Sequence, residues 1–141
     1  MRREEPLPST SQDEQAIHKA VSEYYEAFVS DPVIAASYYG EPTLVVLPDE
    51  VMSLPRRADI EAFLAKGRAA LLARGYSNTR MQASRVKRLN RSTALYGTVA
   101  VRMKTDGTEL ERAAFTYLLH KGESGWKIHE LVATDPDSLV G

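Results

Sequence analysis

Residues 93–134 read TALYGTVAVRMKTDGTELERAAFTYLLHKGESGWKIHELVAT. Leu95, Val99, Val101 and Met103 share one side of an alternating run, and Asp106-Gly107 supplies a tight turn. Residues 110–121 and 126–134 repeat the alternation on either side of Gly122-Glu-Ser-Gly125. Residues 78–89 carry the same signal just upstream, so four long antiparallel strands are predicted in a meander. A sheet of that kind must bury one face, and the partner that covers it has to come from the earlier half of the chain.

That half reads as helical. Ile17, Val21, Tyr24, Tyr25 and Phe28 recur at steps of three and four, which gives one apolar stripe to a helix ending near Ser30. Ser11-Gln-Asp-Glu14 fits a capping box at its start, and residues 1–10, with two prolines and four charges, are expected to form a disordered tail. Asp31-Pro32 restarts the chain as cap and first helical residue of a short second helix, expected to carry Tyr38-Tyr39 and to stop at Gly40. Thr43–Pro48 and Val51–Leu54 read as a tight hairpin. Ile60, Phe63, Leu64, Leu71 and Leu72 place a third helix over residues 58–74, with Gly75 where a left-handed terminating residue belongs. The expectation is a single α+β domain over residues 11–141, in which three helices cover the concave face of a curved sheet and leave a pocket between the layers.

Composition narrows the partners. The chain has 141 residues and no cysteine, and its longest apolar run, Ala69–Ala73, is far short of the ~20 residues of a membrane span. Eighteen Lys and Arg balance nineteen Asp and Glu, leaving no excess charge for nucleic acid or an acidic membrane. Arg80, Arg85, Lys87, Arg88 and Arg91 do cluster locally, but no aromatic residues are interleaved for base stacking, so solvated strands or a dimer interface explain them better. Dinucleotide, Walker, nucleophile-elbow and zinc-protease motifs are absent, and His18, His120 and His129 lack the spacing of a metal set. Neither cofactor nor metal is expected, and no secretory signal is evident, which makes the cytoplasm the expected location.

Tyr24-Tyr25, Phe28, Asp31-Pro32, Tyr38-Tyr39, the Ala58–Phe63 helix, the Glu109–Leu119 strand and Gly125-Trp126-Lys127-Ile128 together resemble the nuclear transport factor 2-like superfamily over about residues 13–137. The Tyr39-Gly40-Glu41-Pro42 segment and the Thr134-Asp135-Pro136 ending resemble a bacterial and fungal branch of unassigned function. The wider resemblance implies the cone fold shared by ketosteroid isomerases, SnoaL-like cyclases and epoxide hydrolases as well as by noncatalytic transport and scaffold domains. Carried over by position, the isomerase pattern puts its oxyanion tyrosine at Tyr24. Its base falls at Leu47, before Pro48, where a hydrocarbon cannot take a proton, and its second carboxyl group falls near Thr116.

Two residues stand out as candidates for chemistry. Glu130 alternates with Trp126, Ile128, Val132 and Thr134, a pattern that directs its carboxylate toward the pocket as a general acid or base, unless a bulge turns it outward. Tyr24 is positioned to donate a hydrogen bond to a ligand carbonyl or developing oxyanion. Tyr39, Leu47, Phe63, Val99, Thr116 and Ile128 are the expected ligand-contacting wall, with Tyr117 competing with Thr116 because both faces of that strand are apolar. The same two-sided character suggests a homodimer through the outer sheet face. The functional expectation is cofactor-independent acid/base chemistry on a small hydrophobic, oxygenated molecule, of isomerase, cyclase or epoxide-opening type. The alternative is a noncatalytic ligand-binding or dimerisation module.

Overall fold

The helical stripe and the alternating strands meet in one core. The computed structural model describes residues 10–137 and, for Thr10 and Ser11, only the backbone. The expected tail and the serine side of the Ser11–Glu14 capping box therefore lie outside the described residues, except that Thr10 already belongs to a helix. In chain order the elements are α1 (Thr10–Ser30), α2 (Pro32–Ala36), β1 (Tyr39–Val46), β2 (Val51–Leu54), α3 (Arg57–Leu72), β3 (Tyr76–Asn90), β4 (Thr93–Lys104), β5 (Glu109–Gly122) and β6 (Gly125–Thr134). Six strands form one sheet in the order β2-β1-β6-β5-β4-β3, antiparallel throughout except where β1 runs parallel to β6. The architecture is the expected α+β one, a curved, unclosed sheet with three helices.

Register and burial identify the inner face. Ala94, Tyr96 and Ala100 of β4 oppose Leu119, Tyr117 and Ala113 of β5, and Leu119 and Tyr117 in turn oppose Ile128 and Leu131 of β6. All but Ala113 belong to a buried cluster that also holds Ile17, Val21, Tyr24, Tyr25 and Phe28 of α1 and Ile60, Leu64 and Leu71 of α3. Leu95, Val99, Val101, Ala114, Thr116 and Leu118 fall on the outer face.

Local chemistry sets the helix ends. The Asp31 carboxylate accepts from the Val33 backbone N–H at 2.9 Å, as its capping role requires. The second helix ends at Ala36, short of the expected Gly40, because Tyr39 pairs with Ile128 and so opens β1. Two aromatic residues in succession resemble a helical packing pair, but pairing to β6 gives the Tyr39 backbone its hydrogen bonds. At the far end of α3, Gly75 takes a φ of +92°, the left-handed turn expected there.

The tip of the sheet is pinned to α1 by a buried ion pair. Asp13 accepts from Arg88 at 2.9 Å, and Lys121 stands 3.4 Å from its other oxygen. The Arg88 guanidinium lies over Trp126, 5.6 Å from the ring centroid. Arg88 is thus a structural residue of the basic cluster, whereas Arg80, Arg85 and Lys87 oppose Val101, Gly97 and Leu95 on the outer face.

Two irregularities shape the sheet at β1 and β6. Pairing with β5 passes from Leu119–Ile128 directly to Leu118–Glu130, so His129 is an extra residue, a β-bulge. Its ring packs on Gly40 and its Nδ1 lies 2.8 Å from the Pro42 carbonyl oxygen. A Cβ at Gly40 would stand 2.3 Å from the His129 Nε2. Gly40→Ala is therefore expected to lower stability in urea unfolding by about 1–3 kcal/mol. His129→Ala in the same chain should restore most of the loss, and strictly additive losses would place the clash elsewhere.

Candidate functional site

Between α1, α3 and the inner sheet face lies a cavity of about 250 Å³. Helix α1 contributes Tyr24, Tyr25 and Phe28, residues of its core stripe, and α3 contributes Phe63, Leu64, Gly67 and Leu71. The sheet supplies Thr79, Ala100, Arg102, Phe115, Tyr117 and Leu131, and Leu47 closes the wall from the end of β1. The volume sits just below the ~300–1,000 Å³ typical of drug-sized ligands, which fits a compact molecule better than a polycyclic one.

Tyrosines dominate its polar chemistry. Tyr24 stands at the centre of an aromatic group, with ring centroids 5.2 Å from Tyr25, 5.1 Å edge-on to Tyr39 and 6.3 Å from Tyr117. The Tyr25 and Tyr117 hydroxyls share a hydrogen bond of 2.7 Å. The Tyr39 hydroxyl is buried beside that of Tyr24, close enough to influence its ionisation but without a hydrogen bond of normal geometry. Burial pushes the Tyr24 phenol up to about 12, although the Tyr39 hydroxyl and the Arg102 charge pull it back in part. Burial likewise raises Tyr25, Tyr39 and Tyr117. At neutral pH these hydroxyls are neutral hydrogen-bond donors and acceptors.

The charged group of the wall is Arg102. Its Nη1 donates to Glu111 Oε2 at 2.5 Å, Arg74 Nη1 lies 2.9 Å from the other Glu111 oxygen, and the Arg102 guanidinium stands 5.6 Å from the centre of the Phe115 ring. Partial burial pushes the Glu111 carboxyl up, but the hydrogen bonds and charges of Arg102 and Arg74 outweigh it and hold the group below its ordinary value. Among the described residues, no aspartate, glutamate or histidine lines the cavity.

The expected site residues separate into three groups. Tyr24, Leu47 and Phe63 line the cavity. Tyr39 and Ile128 are inner-face residues buried in the core behind it. Val99 and Thr116 belong to the outer face, opposite Ala114 and Gly97, so the competition between Thr116 and Tyr117 goes to Tyr117. Glu130 is corrected as well. Simple alternation from Trp126 and Ile128 directs it inward, but the bulge at His129 shifts the phase, so Leu131 takes the inner position and Glu130 stands outside, opposite Leu118 and beside Leu44. His120 and His129 do approach each other across the hairpin, with centroids 6.1 Å apart. Among the described residues no cluster of three potential metal ligands forms.

Arg102 escaped the sequence reading, although a signal was present. It continues the inner-face series Tyr96, Thr98, Ala100, and counting symmetrically outward from the Asp106-Gly107 turn brings it opposite Glu111, its observed partner. Gly67 and Phe115 left no comparable signal.

The model of a family described as NTF2-like protein (DUF6841) matches residues 13–136. No protein of curated function matches the chain by sequence. Solved structures share the fold at low identity. A domain of unknown function with a cystatin-like fold from Nostoc punctiforme is 22% identical, with a TM-score of 0.70 over 89% of this chain and 78% of its own. A candidate dehydratase of the NTF2-like family from Streptomyces avermitilis is 16% identical, with a TM-score of 0.70 over 89% and 97%. The yeast UBP3-associated protein BRE5 is 15% identical, with a TM-score of 0.67 over 89% and 95%. Identities this low show the fold alone, and that fold carries names as different as a dehydratase and an associated protein.

Burial of phenols has a consequence at alkaline pH. The chain has seven tyrosines, and all seven are held above the ordinary value of 10.0. Because the unfolded chain ionises first, their contribution to stability is complete below pH ~10 and is lost as pH rises toward the folded values. Tyrosinate absorbance should therefore lag behind a free-tyrosine titration at pH ~10 and rise steeply where circular dichroism reports unfolding. A gradual rise with half the tyrosines ionised at pH ~10 in folded protein would contradict the burial described.

Proposed function

This chain belongs to the NTF2-like protein family DUF6841, and we propose that its cavity binds a small, largely apolar, oxygen-bearing molecule without transforming it. The carrying observation is the chemistry of the wall, which offers phenol hydroxyls, an arginine and aromatic faces but, among the described residues, no carboxylate or imidazole. Proton transfer at neutral pH calls for a group whose pKa lies near the working pH. Tyr24, raised to about 12, is instead a hydrogen-bond donor. Glu130 has no part in this reading.

Gly67 supports it. The residue sits inside α3, where glycine costs about 0.8–1 kcal/mol relative to alanine, and a Cβ built there meets nothing within 4 Å. Packing does not require a glycine at that point of the wall, whereas an unobstructed edge serves a ligand. Gly67→Ala should accordingly raise stability by about 0.5–1 kcal/mol.

The same proposal reserves the outer sheet face for a second copy of the chain. Leu95, Val99, Val101, Ala114, Leu118 and Val132 form an apolar centre there, and the Thr116 hydroxyl among them is buried without a partner among the described residues. Light scattering at tens of micromolar is expected to give twice the 15.7 kDa chain mass, and a monomer would remove that part of the reading.

The binding reading is tested with 2-phenylethanol, a compact alcohol with an aromatic body. Amide shifts in a nitrogen–proton correlation spectrum should centre on α1, α3 and the inner strands, saturating with a Kd on the order of 1 mM or tighter. Ala100→Leu, which fills the cavity from β4, should abolish the shifts while the circular dichroism spectrum is retained. Shifts confined to the outer face, or none at saturating alcohol, would overturn the proposal.

A further inference from the structure

We propose that the natural ligand of this cavity is a monoanion, an apolar body with a carboxylate that docks on Arg102; this rests on the binding reading above. The charge balance around Arg102 points that way. Arg102 and Arg74 share the single carboxylate of Glu111, so the three groups together retain one positive charge. Arg102 is the member that lines the cavity, and its side chain is only 20% exposed. Its Nη1 is bonded to Glu111, while Nε and Nη2 have no hydrogen-bond partner among the described residues. Neither donor is sealed from solvent, so an acceptor entering the cavity would take the place of water there, and a charged acceptor is matched better than a neutral one.

The surroundings favour a carboxylate over a phosphate. One residual positive charge balances a monoanion, whereas a phosphate dianion would leave a net negative charge against an apolar wall. Thr79, opposite Arg102 in the β3–β4 pairing, places a hydroxyl on the same wall, although it also bonds the Tyr76 hydroxyl at 2.6 Å. Phe115, already beneath the guanidinium, continues into the aromatic wall of Phe28 and Phe63, where the apolar body would lie. Glu111 holds Arg102 in place and so acts as a positioning residue.

The experiment compares phenylacetate with 2-phenylethanol, which match in size and differ in charge, by calorimetry at pH 7 and low salt. Wild type is expected to bind phenylacetate about tenfold more tightly, a ratio of about 1.4 kcal/mol. Arg102→Gln should bring the ratio close to one, and Glu111 keeps Arg74 as a partner in that variant. Should the variant fail to fold, salt substitutes for it in wild type. Raising salt from about 0.05 to 0.5 M should weaken phenylacetate several-fold and leave the alcohol unchanged. Equal binding of the two compounds, or a preference that survives both Arg102→Gln and salt, overturns the anion assignment while leaving the cavity a binding site. Failure of both compounds to bind overturns the binding reading itself.

Discussion

His129 is one residue too many for its strand, and the accommodation of that residue determines which side chains meet inside the molecule. Between Ile128 and Leu131 the β6 backbone gains a residue that has no counterpart on β5. The bulge reverses the phase of the strand, so that Leu131 reaches the cavity and Glu130 faces away. The imidazole needs its own space, and Gly40 on β1 supplies it by having no side chain. The neighbouring Pro42 carbonyl oxygen lies within hydrogen-bonding distance of the ring. Parallel pairing of β1 to β6 skips from Tyr39–Ile128 to Leu44–Glu130, so both strands carry the irregularity. Leu47 reaches the cavity from the end of that same β1 strand.

Legibility of the fold followed the strength of local periodicity. The limits of β4 were readable to the residue because twelve alternating positions end at a turn whose chemistry is unambiguous. Limits of α2 were not, because Tyr38-Tyr39 are as suited to a helix end as to a strand, and only the distant β6 backbone decides between them. The site was legible where it rests on the α1 stripe, which gave Tyr24, and at Leu47 and Phe63. Glu130 was misplaced because alternation carries no mark of a bulge. Val99 and Thr116 were misplaced because the outer face of the sheet is nearly as apolar as the inner one. A period-two pattern says that two faces exist, and when both are apolar it cannot say which faces the helices.

The core itself is unusual in its chemistry. Tyr24, Tyr25, Tyr39, Tyr76, Tyr96 and Tyr117 are all less than a tenth exposed, so six phenols replace hydrocarbons that would bury at no polar cost. Pairing meets most of the requirement. Tyr25 bonds Tyr117, and Tyr96 reaches His18 at 2.6 Å. The hydroxyls of Tyr39 and Thr116 and the indole N–H of Trp126 are buried without partners among the described residues. Tyr39 has the plainest physical setting, since its ring meets Tyr24 edge-on and completes the back of the cavity wall. A fold optimised only for stability would place phenylalanine there, and the phenols that line the cavity itself are those of Tyr24, Tyr25 and Tyr117 in front of it.

The proposed reading rests on a wall that offers donors and, among the described residues, no base. In the isomerase arrangement that the sequence resembles, a tyrosine hydroxyl holds the oxygen of the substrate while a carboxylate above its face moves the proton. Here the hydroxyl of Tyr24 stays, Leu47 occupies the wall with hydrocarbon, and the position at Thr116 has turned to the other face of the sheet. Introducing a carboxylate near Leu47 would not by itself recreate that chemistry. The charge of Arg102 lies on the same wall, and an opposite charge nearby holds a carboxylate ionised and lowers its strength as a base. Among the described lining residues Arg102 is the one cation, and its charge would oppose proton abstraction by a carboxylate on that wall, which is why the proposed reading gives it an anion to hold instead.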